Sequence, residues 1–306
     1  MMAAVEAPGS AIPAAILMSG TGSNARKLLE YAPSDRSEPA YQIRVIVSDN
    51  PDSSYRRIAE DHGVAAELND IYRFFGVPRP QQGLGPAERA KLKDPVGRER
   101  FDRRTRDILN RHGVQLVALA GYDWVIAPFL CAEYVVVNVH PGDLRVRDAS
   151  GRRRYIGLGW VPTAKAILAG EQVVHSTTHL VTAELDGGPI ARVSQGVQID
   201  LPPGIAPEDT LPVDARLGDV IRAVRSGDDP DLASCLLVTH ARAVQERLKQ
   251  AGDWVEFPRT LDQVAALMRE GRLARAEGGR LLLDGALVED LFLQADATQD
   301  RRSEEG

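Results

Sequence analysis

Apolar residues come in short unbroken runs, each closed by glycine, proline or a polar turn, with amphipathic stretches between them. The runs AAILMSG (14–20), YQIRVIVSD (41–49), VQLVALAGY (114–122) and VVVNVH (135–140) predict strands. Unbroken runs, in contrast to strict alternation, mark strands buried on both faces. Between them ARKLLEYA (25–32), SSYRRIAEDHG (53–63) and RERFDRRTRDILNRHG (98–113) predict helices, the last two stopped by glycine. Strands alternating with helices predict an α/β fold with a mostly parallel sheet and helices on both faces. Residues 71–96, rich in proline, glycine and glutamine, read as a loop or insertion.

The second half reads differently. PTAKAILAGE (162–171) predicts a helix. VVHSTTHLVTAEL (173–185) and ARVSQGVQI (191–199) predict strands joined by a DGGP turn, an antiparallel addition near residues 173–199. Residues 200–232 read as a linker or long loop. Residues 231–252 and 260–273 predict helices, and GGRLLLDGALV predicts a terminal hairpin. The expected organisation is one α/β domain over 11–200 and a linker with a mainly helical extension over 201–295, packed on that domain. The ends, 1–10 and 296–306, are expected to be disordered. No internal repeat is visible.

Composition narrows the class. A chain of 306 residues with 43% hydrophobic content can bury a substantial core. A net charge of -6 gives no case for nucleic acid or an acidic membrane surface. Aromatic content of 5% weakens base stacking further. Cys131 and Cys235 match no metal spacing and read as buried free thiols, as in a reducing cytoplasm. AIPAAILMSG lacks a basic flank and reads as a strand, not a signal peptide. No run is long enough to span a bilayer. The expectation is a cytoplasmic protein, monomer or homodimer, with a small-molecule partner.

Three stretches can carry chemistry. SGTGSN (19–24) lies between a strand and a helix. It is either a tight turn or a phosphate cradle of Gly20, Thr21, Gly22, Ser23 and Asn24, with backbone N–H groups facing an anion. It is neither a Walker loop nor a dinucleotide fingerprint. In VVVNVHPGD, Asn138 and His140 sit two residues apart, so they share one face at a strand end. An amide can hold an oxyanion, and an imidazole can carry a proton near neutral pH. In ELDGGP (184–189), Asp186 either initiates a turn or orients His140. His175 and His179 stand four apart, a metal-ligand spacing on a helix but not on a strand, so no metal is expected.

Together ILMSGTGSN, LVALAGY, VVNVHPGDL and HSTTHLVTAELDGGPI resemble the phosphoribosylglycinamide formyltransferases, from about residue 14 to 199. RERFDR, which adds Arg98 to the candidates, and residues 250–273 also touch the resemblance. It implies a Rossmann-like formyltransferase fold and transfer of formyl from 10-formyltetrahydrofolate to glycinamide ribonucleotide or a similar phosphorylated amine, in purine biosynthesis. It implies Asn138, His140 and Asp186 as the catalytic trio, with His140 and a water held by Asp186 shuttling the proton, and His179 nearby. It implies Gly20 to Asn24 for the phosphate, and Trp124, Val125, Ile126, Leu180, Val181, Thr182 and Glu184 along the folate pocket. No metal is implied.

The sequence departs from the family in four places. GDLRVRDASGRRRYIGLGW is longer than the family's segment after His-Pro, and its Arg152, Arg153 and Arg154 read as a solvated loop tip or as contacts to a phosphate or glutamate tail. Asp123 and Trp124 replace Met and Arg. Residues 71–96 are inserted. Asp253 stands for a family Glu on the acceptor side. The competing readings are transfer to another amine such as an amino sugar nucleotide, a formyltetrahydrofolate hydrolase, and a catalytically silent nucleotide- or folate-binding module. The hydrolase normally has an N-terminal regulatory domain, whereas a dozen residues precede the first strand here. The tRNA-directed branch expects a basic surface and a C-terminal barrel, against a mainly helical C-terminal third.

Overall fold

A computed structural model describes residues 11–79, 84–276, 279–288 and 290–291. The chain opens with β1 (Ile12–Met18), α1 (Ser23–Leu29), β2 (Tyr41–Ser48), α2 (Tyr55–His62), β3 (Ala65–Leu68), α3 (Ile71–Phe75), α4 (Pro86–Leu92) and α5 (Pro95–Arg111). It continues through β4 (Leu116–Leu119), α6 (Pro128–Glu133), β5 (Val135–His140), α7 (Val161–Leu168), β6 (Val173–Val174), β7 (Thr177–Leu180), β8 (Ile190–Val193) and β9 (Val197–Gln198). Then come α8 (Leu217–Ser226), α9 (Pro230–Ala233), α10 (Leu236–Leu248), a π-helical turn (Lys249–Asp253) and α11 (Trp254–Arg269). A small sheet of β10 (Leu273–Arg275), β11 (Leu281–Leu283) and β12 (Ala286–Leu287) follows.

Seven strands form one sheet in the order β3-β2-β1-β4-β5-β7-β8. The first five are parallel; β7 runs antiparallel to β5, and β8 antiparallel to β7. Strand order reverses between β1 and β4, and that switch point opens a crevice at the carboxyl ends of the strands. β1 is buried along its whole length. Ala14, Ile16 and Met18 turn to one face, where they join Phe257, Leu261 and Val264 of α11. Ala15 and Leu17 turn to the other, with Ile108 and Leu109 of α5 and Leu130 of α6. Both faces are therefore covered, as the apolar runs require. A separate cluster joins Ile167 of α7 and Val220 of α8 to Leu237 and Val244 of α10.

Several expectations are corrected. Residues 71–96 contain α3 and α4 where a loop was expected. Asp70 caps α3 through the N–H of Arg73, and prolines open α4 and α5. The prolines mark helix starts here, because the first helical position needs no N–H. Ile71, Tyr72 and Leu92 pack on Phe101 in their own small core. The strand expected over 173–185 is divided: β6 pairs with β9 in a two-stranded sheet, and β7 enters the main sheet. Residues 200–232 hold a 3-10 turn (Pro207–Thr210), α8 and α9, with Val220 and Ala223 buried. α10 and α11 run together through the π turn, and α11 contains Pro258. β3 and α6, each under seven residues, left no periodic signal. The expected disordered ends, 1–10 and 296–306, lie outside the described residues.

Candidate active site

Asn138 and His140 reach the crevice because β5 ends there, and β7 pairs beside it with Asn138 opposite His179. His179 is buried, and its Nδ1 lies 3.2 Å from the Leu180 carbonyl. A carbonyl only accepts, so Nδ1 carries the hydrogen and Nε2 is bare. The Asn138 amide donates to that bare Nε2 at 3.1 Å. Burial, reinforced by repulsion from His140, pushes the His179 pKa down to about 3. The 3.7 Å approach of His179 Nε2 to Asp186 Oδ1 is therefore a contact with a neutral ring and not an ion pair.

His140, also buried, presents Nε2 to the Tyr155 carbonyl at 2.7 Å. Its Nδ1 faces Asp186 Oδ2 at 3.6 Å. Asp186 sits in a left-handed backbone conformation, φ 49°. The turn closes because Gly188 passes against β7: a Cβ there would lie 1.8 Å from the Leu180 carbonyl oxygen. A side chain at 188 would unseat the strand or the turn.

These groups line a cavity of about 360 Å³, a size suited to a small organic ligand. Leu119, Ile126, Val139 and Val181 supply apolar wall; Asn138, His140 and Asp186 supply the polar end. Asn24, Asp253, Gln245 and Lys249 also line it, and the Ser176 hydroxyl lies between Asp253 and the His140 carbonyl. Asp253 is carried by the π turn, a distortion that recurs at functional sites. It accepts from the Ser176 hydroxyl, and the Asn24 amide nitrogen stands 3.5 Å away. Burial raises the Asp253 pKa, and its hydrogen bonds from Ser176 and Asn24 oppose the rise.

Trp124 lines the cavity with its indole N–H on Asp49 at 2.5 Å. Arg98 lies over the Trp124 ring, 5.3 Å to its centroid, and donates to the Val125 carbonyl at 3.2 Å. Burial raises Asp49 to about 6 against hydrogen bonds from Ser19 and Trp124. Ile71, Tyr72 and Leu92 back this wall, since Trp124 packs on their cluster with Phe101.

The structure thus brings together Asn138, His140, Asp186, His179, Asp253, Asn24, Trp124, Val125, Val181, Thr182 and Glu184. Gly20, Thr21, Gly22 and Ser23 lie beyond the cavity wall, where left-handed Gly22 precedes α1. Leu180 is buried in the core, and Arg98 supports the wall from behind. Arg152 and Arg154 are exposed, but Arg153 is not a loop tip: it bonds the carbonyls of Asp186 and Gly188. His175 bonds the Ser194 carbonyl at 2.9 Å. Sequence reasoning missed Ser176, Asp49, and the Tyr155 carbonyl. Asp49 follows the carboxyl end of β2, beside β1, a position that could have flagged it.

In a mostly parallel sheet an amide, an imidazole and a carboxylate converge on one cavity at the carboxyl ends of the strands, an arrangement that can hold an oxyanion and carry a proton. The family model described as "Formyl transferase" matches residues 13–201. The chain belongs to the formyl transferase family. It is 24% identical over 178 residues to the phosphoribosylglycinamide formyltransferase of Escherichia coli, covering 57% of this chain and 68% of that protein. To the enzyme of the same name from Haemophilus influenzae it is 27% identical over 199 residues, covering 64% and 75%. Its fold matches the phosphoribosylglycinamide formyltransferase of Coxiella burnetii, TM-score 0.53 at 19% identity, over 91% of this chain and 96% of that one. It also matches glycinamide ribonucleotide transformylase 1 of Symbiobacterium toebii, TM-score 0.51 at 22% identity, over 92% and 98%. Among the described residues no helix is long and apolar enough to cross a membrane.

Proposed function

We propose that the protein transfers a formyl group from 10-formyltetrahydrofolate to the amine of glycinamide ribonucleotide or a similar phosphorylated amine. The observation that supports this reading best is the convergence of Asn138, His140 and Asp186 at the polar end of a cavity that Asn24 and Asp253 also line. The apolar wall and the Trp124 face fit a flat heteroaromatic donor, which would supply the formyl carbon.

The Asn138 amide has two hydrogens. One is committed to His179, and the other is free for a formyl oxygen gaining negative charge. His140 takes and returns the proton that moves between the two nitrogens, and Asp186 stabilises its charged form. Asp253 and Asn24 hold the acceptor side. The Gly20–Asn24 loop with Lys249 supplies donors and positive charge for a phosphate.

The test is an absorbance assay of tetrahydrofolate release from 10-formyltetrahydrofolate, with and without glycinamide ribonucleotide. Release that needs the amine supports the transferase. Release without it assigns a hydrolase. No release with any phosphorylated amine or amino sugar nucleotide, despite folate binding, leaves a silent binding module.

A further inference from the structure

The segment after Pro141 does something specific to the catalytic pair. Residues 146–154 fold back on themselves, with Arg154 N–H on the Val146 carbonyl at 2.9 Å and Arg147 bridged to Arg153. The Tyr155 hydroxyl bonds Glu171, and Lys165 Nζ donates to the Ile156 carbonyl at 2.6 Å. So anchored, the segment touches both proton-handling residues. The Tyr155 carbonyl meets His140 Nε2 at 2.7 Å. The Arg153 fork spans the Asp186 turn: Nη1 donates to the Asp186 carbonyl and Nη2 to the Gly188 carbonyl at 2.8 Å. Asp186 has φ 49°, a backbone conformation that costs a non-glycine residue energy and persists only when neighbours hold it.

We propose that the segment 142–160 is a positioning element: the Tyr155 carbonyl fixes the His140 hydrogen on Nε2, so that Nδ1 exchanges the reaction's proton, and Arg153 holds Asp186 opposite Nδ1. Nε2 faces an acceptor that has no hydrogen to give, so a neutral His140 is bare at Nδ1. Nδ1 is also the nitrogen that Asp186 faces. The proton balance closes there. The amine gives Nδ1 one proton as it bonds the formyl carbon. Nδ1 gives one to the donor nitrogen as the old carbon–nitrogen bond breaks. The proton assignment holds for the free protein; the relay rests on the formyl-transfer reading. Arg153 and Tyr155 are positioning residues, since neither acts on the reacting atoms.

Gly142 shows how closely this is set. A Cβ at Gly142 would lie 2.5 Å from the Tyr155 oxygen and 3.1 Å from His140 Nε2. Gly142→Ala must therefore push the carbonyl off the ring. Arg153→Lys keeps the charge but loses the two-pronged fork.

The experiment is nitrogen NMR of the His140 ring in the free protein, assigned with His140→Gln, alongside steady-state kinetics. In the wild type, Nε2 should carry the hydrogen whenever the ring is neutral. Gly142→Ala should give a mixture of tautomers. Arg153→Lys should keep the Nε2 hydrogen, shift the Nδ1 resonance, and lower kcat at least about tenfold with the acceptor KM little changed, as misplaced catalytic groups do. A neutral wild-type ring protonated at Nδ1 overturns the proposal, and so does Arg153→Lys with unchanged Nδ1 resonance and kcat. If Gly142→Ala does not fold, the other two arms decide. If no amine is formylated, the proposed function fails while the ring spectra still judge the positioning.

Discussion

The Asn138 amide nitrogen lies 3.1 Å from the bare Nε2 of His179, and this one contact orients the amide. Were the amide turned over, two acceptors would face each other. His179 is thus the group that aims Asn138 into the cavity. Asn138→Ala should lower kcat by about 10²–10³, the usual cost of one oxyanion donor. His179→Ala should lower it at least about tenfold, with the amide free to rotate. Turnover under saturating substrates decides, and full activity in His179→Ala would refute the orienting role.

His140→Ala and Asp186→Ala should each lower kcat by about 10²-fold or more, the scale of a lost acid–base group. Circular dichroism should show both folded. Near-full activity in either variant would exclude the proton relay.

His179 also sets a pH dependence. Its pKa falls from the ordinary 6.5 to about 3 in the folded chain. Between these values the unfolded chain binds a proton that the folded chain does not, so the contribution of His179 is fully present above 6.5 and lost as pH falls towards 3. Asp49 and Asp102, raised by burial to about 6, act oppositely: their contribution is lost as pH rises from 3.8 through about 6. The wild-type profile mixes both signs. His179→Gln isolates one: its urea-derived stability should fall less steeply on acidification from 6.5 to 3, by roughly 1.4 kcal/mol per pH unit. Parallel profiles would refute a neutral buried His179.

Trp124→Phe removes the indole hydrogen bond to buried Asp49. The loss should be about 1–3 kcal/mol by chemical unfolding, larger above pH 6 where Asp49 is charged and needs its donors most. A loss that does not vary with pH would show that Asp49 does not titrate over the range tested.

Asp253→Asn should raise the acceptor KM at least about tenfold and leave the KM for the formyl donor nearly unchanged, because Asp253 is tied to Asn24 and Ser176, whereas the Trp124 wall is held by Asp49. Paired Michaelis curves give the comparison. Equal effects on both constants would move Asp253 off the acceptor side.

Much of this was legible in the chain. The unbroken runs at 14–20 and 135–140 announced strands buried on both faces, and helices cover both faces of β1, while β2 exposes Gln42 and Arg44. The two-residue step from Asn138 to His140 placed both on one face of β5, since side chains alternate along a strand. Residues 71–96 misled because Pro86 and Pro95 open helices and Gly76 closes one. The run over 173–185 misled because pattern does not say which partner strand each half will find.

What the sequence determined by itself was local: which segments are strands or helices, and which side chains share a face. What the tertiary structure decided was pairwise: Asn138 with His179, Trp124 with Asp49, Asp253 with Ser176, Arg153 with the Asp186 turn. Periodicity along a chain encodes backbone geometry over a few residues, whereas these contacts join segments 33 to 77 residues apart. The Tyr155 carbonyl on His140 shows the limit best. A peptide oxygen occurs at every position, so only its placement in the folded chain gives it a role.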